Sequence, residues 1–229
     1  MEVDTTFRDY DLFVTLPSKQ VSKVQIRMIS PFVGLDKQNL LTSLVEVGRS
    51  LPSAGNCRGK EVGDIGSMHA IGVRSASSKS LYVTKEETSR KVEVASKMMT
   101  DWMQDNLREV LARIRAVDTR MKVEPSPCLK EAPGSRMMVS VNLGNPPHYD
   151  DGDTSESIAV WVEEKPGQSK NWYFILPNVS CNDRKGVVIK LLHGLAISWD
   201  GRQIFHCTSK TKISDGNKTY GCLWSSTRK

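Results

Sequence analysis

The sequence predicts an α+β protein: a core of short antiparallel strands with a long amphipathic helix packed outside it. Three observations carry this. Six strand-like segments are packed into roughly residues 136 to 226 with no helical period between them. A long stripe of apolar residues at helical spacing occupies roughly residues 98 to 114. Between the two lies "KVEPSPCLKEAPGS", residues 122 to 135, where three prolines and a glycine interrupt any regular element.

Taken in order, "YDLFVTL" and "VSKVQIRMI" read as strands from their β-branched and alternating apolar residues. "LDKQNLLTSLVEVG" reads as a short helix closed by Gly48. A longer helix opens at the capping-box pattern Thr84-Lys85-Glu86-Glu87 and carries one stripe: Met98, Met99, Trp102, Met103, Leu107, Val110, Leu111 and Ile114. Core packing explains a methionine-rich stripe more simply than an adaptable binding surface, so this helix is expected to buttress one face of a sheet. After the divide come "RMMVSVNL", "SIAVWVE", "NWYFILPN", "GVVIKLL", "LAISWD" and "TYGCLWSS", a series that suits a sandwich, jelly roll or barrel. Residues 1 to 121 have too few strands for a separate sheet, so residues 1 to 229 are expected to form a single domain whose core spans 136 to 226.

Composition narrows the class. With 38% hydrophobic and 25% charged residues the chain is ordinary for a globular protein, and no apolar run approaches a membrane span. "MEVDTTFRDYD" is acidic where a signal peptide would be basic and then apolar. Cys57, Cys128, Cys181, Cys207 and Cys222 are odd in number and never in a C-x-x-C pair, which argues against a disulfide framework and a thiolate zinc site. An intracellular home, cytoplasmic or nuclear, and no membrane partner are the expectation. The net charge of +6 admits a polyanionic partner, DNA or RNA, and much of the excess falls late: beyond residue 200, Arg202, Lys210, Lys212, Lys218, Arg228 and Lys229 face only Asp215.

The chemistry gathers in "NLGNPPHYDDGDTSES", residues 142 to 157, and "LAISWDGRQIFHCTSK", residues 195 to 210. His148 and Asp150 stand two apart, so on extended backbone their side chains share a face. His206 follows an apolar strand introduced by Gly194 and ended by a turn at Asp200-Gly201. Two histidines and one carboxylate on one face of a metal, with the other positions open, form the facial triad of non-haem Fe(II) oxygenases. Read bare, the same residues also suit an Asx-rich turn and an unrelated histidine.

The order and spacing of these residues resemble the double-stranded β-helix dioxygenases that use Fe(II) and 2-oxoglutarate. In that family an H-x-D motif follows the first core strands and a distal His follows a glycine, an apolar strand and a polar turn, here His148, Asp150 and "GLAISWDGRQIFH". The resemblance covers roughly residues 136 to 226 and implies a jelly-roll core buttressed by N-terminal helices, with His148, Asp150 and His206 as metal ligands. It implies a cation after the distal His that pairs with the far carboxylate of 2-oxoglutarate. Lys218 is the nearest match, with Arg228, Lys210 and Lys212 as fallbacks, and a solvated turn lysine as the bland alternative. Without such a cation, another reductant such as ascorbate or a non-redox metal site remains open. Asn142 and Tyr173 are placed to hydrogen-bond a co-substrate carboxylate; packing is the simpler reading of both. Arg202 could pair with Asp200 or reach the substrate, and Asp151 and Asp153 read as loop-ordering residues. His69, His193, Trp161, Trp172 and Trp199 read as structural, while Tyr149, between the two ligands, could flank a flat substrate.

"HYDDGD" with "ISWDGRQIFHCTS" is also similar to the TET/JBP-like nucleobase dioxygenases, including their algal relatives, which modify the methyl of 5-methylcytosine or thymine. That resemblance implies hydroxylation of an unactivated carbon on a flipped base. A protein or small-molecule hydroxylase, and a non-catalytic jelly-roll binding module, are the alternatives.

Overall fold

A computed structural model of the chain describes residues 2–3, 9–29, 35–52, 55, 66–73, 81–82, 85–210 and 216–227. The first half holds β1 (Glu2–Val3), β2 (Tyr10–Thr15), β3 (Val21–Met28), α1 (Leu35–Ser50), β4 (Ser67–Val73), β5 (Leu81–Tyr82), α2 (Glu86–Asn106) and α3 (Arg108–Met121). The second holds β6 (Arg136–Val141), β7 (Asn145–His148), β8 (Asp153–Glu163), β9 (Tyr173–Cys181), β10 (Arg184–Lys190), β11 (Leu195–Asp200), β12 (His206–Thr208) and β13 (Thr219–Thr227). The main run of the sheet is β3-β11-β8-β13-β6-β4, antiparallel throughout. A shorter run, β10-β9-β12-β7, lies over it and joins it through β2.

The period-two alternation of the central strands sorts their side chains into two cores. Ile158, Val160 and Val162 of β8 pack under the helices with Met99, Met103 and Ile114. Ala159 and Trp161, one step out of phase, face inward against Phe174 and Trp199. Both faces are thus dry, and β11 is buried from Leu195 through Trp199. The inner face, between the two runs, is where a cavity opens.

Several local expectations are corrected. The apolar stripe spans two helices: Leu107 leaves helical geometry at φ −144 and ψ 43 while its N–H still bonds Met103 O. The stripe runs through the break because one non-helical residue does not change which face is buried. Gly48 does not close α1, which continues to Ser50. A Cβ there would stand 2.4 Å from the Tyr220 ring, so the glycine serves close helix–sheet packing. Lys85, without a side-chain cap, precedes α2, and Thr84 lies outside the described residues. The divide is not wholly irregular, since Pro127–Leu129 form a short 3-10 turn. β4, β7 and β12 lie outside the segments read as strands. In β7 the sequence "NPPH" hides a strand because proline removes ladder donors; among the described residues β7 pairs with β12.

Candidate metal centre

The short β7–β12 pair brings the two histidines together. His148 and His206 are direct cross-strand partners, and their ring centroids are 4.5 Å apart. Asp150 arrives from the turn after β7, fixed by its N–H to Gly201 O at 2.8 Å and by Asp153 N–H donating to its carbonyl at 3.0 Å. A Cβ at residue 201 would stand 2.5 Å from Asp150 Oδ2, so only glycine lets the carboxylate occupy this place. One ligand atom from each of the three residues lies within 4.8 Å of the others.

Both imidazoles are oriented the same way. Nδ1 of His148 lies 2.9 Å from Pro146 O, and Nδ1 of His206 lies 2.8 Å from Ile204 O. A carbonyl only accepts, so each Nδ1 carries its proton and Nε2 of a neutral ring keeps a lone pair. These Nε2 atoms sit 3.3 Å from Asp150 Oδ1 and Oδ2, and Oδ2 is buried without a hydrogen bond among the described residues. The Asn145 amide, 3.2 Å away, donates to His148 Nε2, and the three electron-pair donors converge as the donor set a cation requires. His206 is 4% exposed and Asp150 partly so, which leaves the site reachable from one side.

The ligands face a cavity of about 340 Å³. Phe174 and Trp199 form its wall beside His206, at ring-centroid distances of 5.5 and 5.2 Å. Trp161 lies beyond, 6.4 Å from Trp199 and stacked on it. At the rim Tyr149, 39% exposed, leans on Phe205 with centroids 4.9 Å apart. Arg136 also lines the cavity and is paired with the buried carboxylate of Asp153, which Ser157 Oγ bonds from behind.

The other candidates fall elsewhere. Lys218 is exposed and stands outside the cavity; its carbonyl accepts Glu164 N–H, and its charge helps to hold the Glu164 carboxyl low. Asn142 bridges strands, its Oδ1 accepting Thr219 N–H at 2.9 Å. Tyr173 lies outside the cavity, its N–H donating to Ser209 Oγ. Lys210 is exposed and packs its Cβ over Gly144, while Lys212 and Arg228 lie outside the described residues. Asp200 receives the backbone N–H of Arg202 and the Gln203 amide, so it orders the turn before His206. His193 accepts Glu163 N–H, and burial lowers both His193 and His69 below the usual histidine value, away from the centre. Sequence reasoning missed Arg136, whose signal was a charge heading an otherwise apolar strand, and treated Trp161 and Trp199 as core alone.

No family model matches the sequence, and no curated protein matches it. Among solved structures, NgTET1 in complex with 5mC DNA superposes with a TM-score of 0.61 at 12% identity, covering 99% of this chain and 81% of that one. The chain has that protein's fold. The sheet is the expected double-stranded β-helix, with helices on the outer face of its main run. Two further structures superpose with a TM-score of 0.46 at 12% identity. One is an oxidoreductase of the 2OG-Fe(II) oxygenase family from Burkholderia pseudomallei, covering 82% of this chain and 81% of that one. The other is a prolyl hydroxylase from Trichoplax adhaerens in complex with a hypoxia inducible factor peptide fragment, covering 87% and 82%.

Proposed function

We propose that the protein is an Fe(II)- and 2-oxoglutarate-dependent oxygenase that hydroxylates an unactivated carbon, the methyl group of a modified base in DNA. The observation that carries this is the convergence of His148 Nε2, His206 Nε2 and Asp150 at the end of a cavity, in a fold shared with NgTET1. His148, Asp150 and His206 would hold the iron. When bound, Fe(II) with 2-oxoglutarate and dioxygen supplies the oxidising power that converts C–H to C–OH as the 2-oxo acid is oxidised to succinate and carbon dioxide.

The chain's own residues do the rest. Pro146 O and Ile204 O fix the tautomer and tilt of the two imidazoles, so the ligand lone pairs are set before metal arrives. Phe174, Trp161 and Trp199 keep the floor dry, which strengthens electrostatic interactions and excludes side reactions. Tyr149, partly exposed beside the ligands and backed by Phe205, offers a ring on which a planar base can stack. The basic balance of the chain favours a polyanion.

The test is succinate formation from 2-oxoglutarate by purified protein with and without Fe(II) and methylated DNA. Turnover that requires both, and that disappears in His148→Ala and Asp150→Ala while circular dichroism is unchanged, supports the reading. Equal turnover in the variants refutes it. DNA affinity that does not fall with added salt refutes the substrate assignment alone.

A further inference from the structure

Strand β7 carries another side chain on the face of the two histidines, and regular pleating would not put it there. Asn145 and His148 are three residues apart, an odd spacing that on a regular strand sends side chains to opposite faces. The ladder between β7 and β12 is irregular. His206 pairs with His148 and Thr208 pairs with Asn145, so a three-residue step on β7 faces a two-residue step on β12. The extra residue falls within Pro146-Pro147, where neither residue has an N–H to hold the regular ladder. Such a bulge re-aims a side chain. Its product here is that Asn145, His148, His206 and Thr208 all line the cavity.

The role of the re-aimed amide follows from the tautomer of His148. Nδ1 carries the proton shared with Pro146 O, so Nε2 accepts, and the Asn145 amide 3.2 Å away is the donor. That N–H occupies the lone pair a metal ion would take. One lone pair cannot serve both.

We infer that Asn145 is a metal-displaced positioning residue: its amide holds the His148 lone pair until an ion arrives and gives it up when the ion binds. This rests on the reading of His148 as a metal ligand. The contact keeps the imidazole aimed at the site before loading, and its loss is a cost that every loading event must meet. The displaced amide stays on the cavity wall beside its cross-strand partner Thr208, so loading changes the polar surface that a ligand meets.

The experiment is an anaerobic Fe(II) titration of wild type, Asn145→Leu and Asn145→Ala without any 2-oxo acid, with circular dichroism reporting the fold. Removing a competing hydrogen bond of ordinary strength should tighten Fe(II) binding about two- to tenfold in both variants. A residue that merely braced His148 would give the opposite sign, a loss of about 10- to 100-fold. That loss, or an unchanged affinity, overturns the inference and leaves the oxygenase reading standing. A second readout uses isotope-labelled wild type alone: the Asn145 side-chain amide resonance, assigned through its contacts with His148, should shift as diamagnetic Zn(II) is added as a probe. A resonance that stays in place at saturating Zn(II) also overturns the inference. A wild type that binds neither ion overturns the inference and the oxygenase reading together.

Discussion

Gly201→Ala is the sharpest local perturbation of the centre. Its backbone φ is not in the left-handed region, so alanine adds no backbone strain. The added methyl would stand 2.5 Å from Asp150 Oδ2, 3.0 Å from its Cβ and 3.1 Å from its Cγ, so the whole carboxylate arm must move. An ordinary carbon–oxygen contact needs roughly 3.5 Å, which displaces the ligand oxygen by about 1 Å. Disturbing the groups that orient a metal ligand typically costs about 10- to 100-fold in metal affinity. That is the loss expected here, with the melting temperature of the metal-free protein changed little because the methyl meets a side chain partly open to solvent. The assay is paired: anaerobic Fe(II) affinity and thermal unfolding of the metal-free protein. Unchanged Fe(II) affinity would refute the placement of Asp150 as a ligand. A large fall in melting temperature would refute the claim that Gly201 serves the site rather than the fold.

Other predictions follow from separate parts of the molecule. Gly48→Ala drives a Cβ into the Tyr220 ring and should destabilise by about 1–3 kcal/mol, read as a shift in urea midpoint with unchanged slope. Burial raises the Asp11 carboxyl, but Lys23 and Arg27 more than offset it and bring it from 3.8 to about 2. Its stabilisation is therefore present above the unfolded value and lost as pH falls toward 2, so Asp11→Asn should flatten the acid limb of stability between about pH 4 and 2. Asp11 and Lys23 are each about a third exposed, so solvent screening keeps the effect small. Tyr149→Ala should raise KM for methylated DNA about tenfold or more, as loss of one stacking platform does, with Fe(II) affinity unchanged and Tyr149→Phe close to wild type.

How legible the molecule was in its sequence depends on what kind of fact each feature is. His148 and Asp150 were readable from their spacing, although Asp150 is set by the turn beyond β7 and not by extended backbone, and His206 because an apolar strand and a turn deliver it. Their meeting needs β7 to pair with β12, and the two prolines of β7 hide that strand from any propensity argument. The alternation of β8 was visible, but only the curl of the sheet decides that Ala159 and Trp161 look into a cavity while Ile158 and Val160 meet the helices. Arg136 was hidden for the same reason, since a charge at a strand start reads as solvated until its partner Asp153 is seen beside it. Lys218 drew attention by its place after His206, yet it faces Glu164 on the outside. Gly48 illustrates a limit of glycine signals: a helix-ending glycine and one making room for an aromatic ring look identical in sequence.

On the proposed function, His148, Asp150 and His206 hold Fe(II) in a geometry that a 2-oxo acid can complete. The most direct measurement is an anaerobic Fe(II) titration of wild type and His206→Ala, with and without 2-oxoglutarate, following the visible charge-transfer band. A band that needs both iron and 2-oxoglutarate and is absent in the variant is the predicted result. Iron binding that gives no band, or a band that persists without His206, would contradict it.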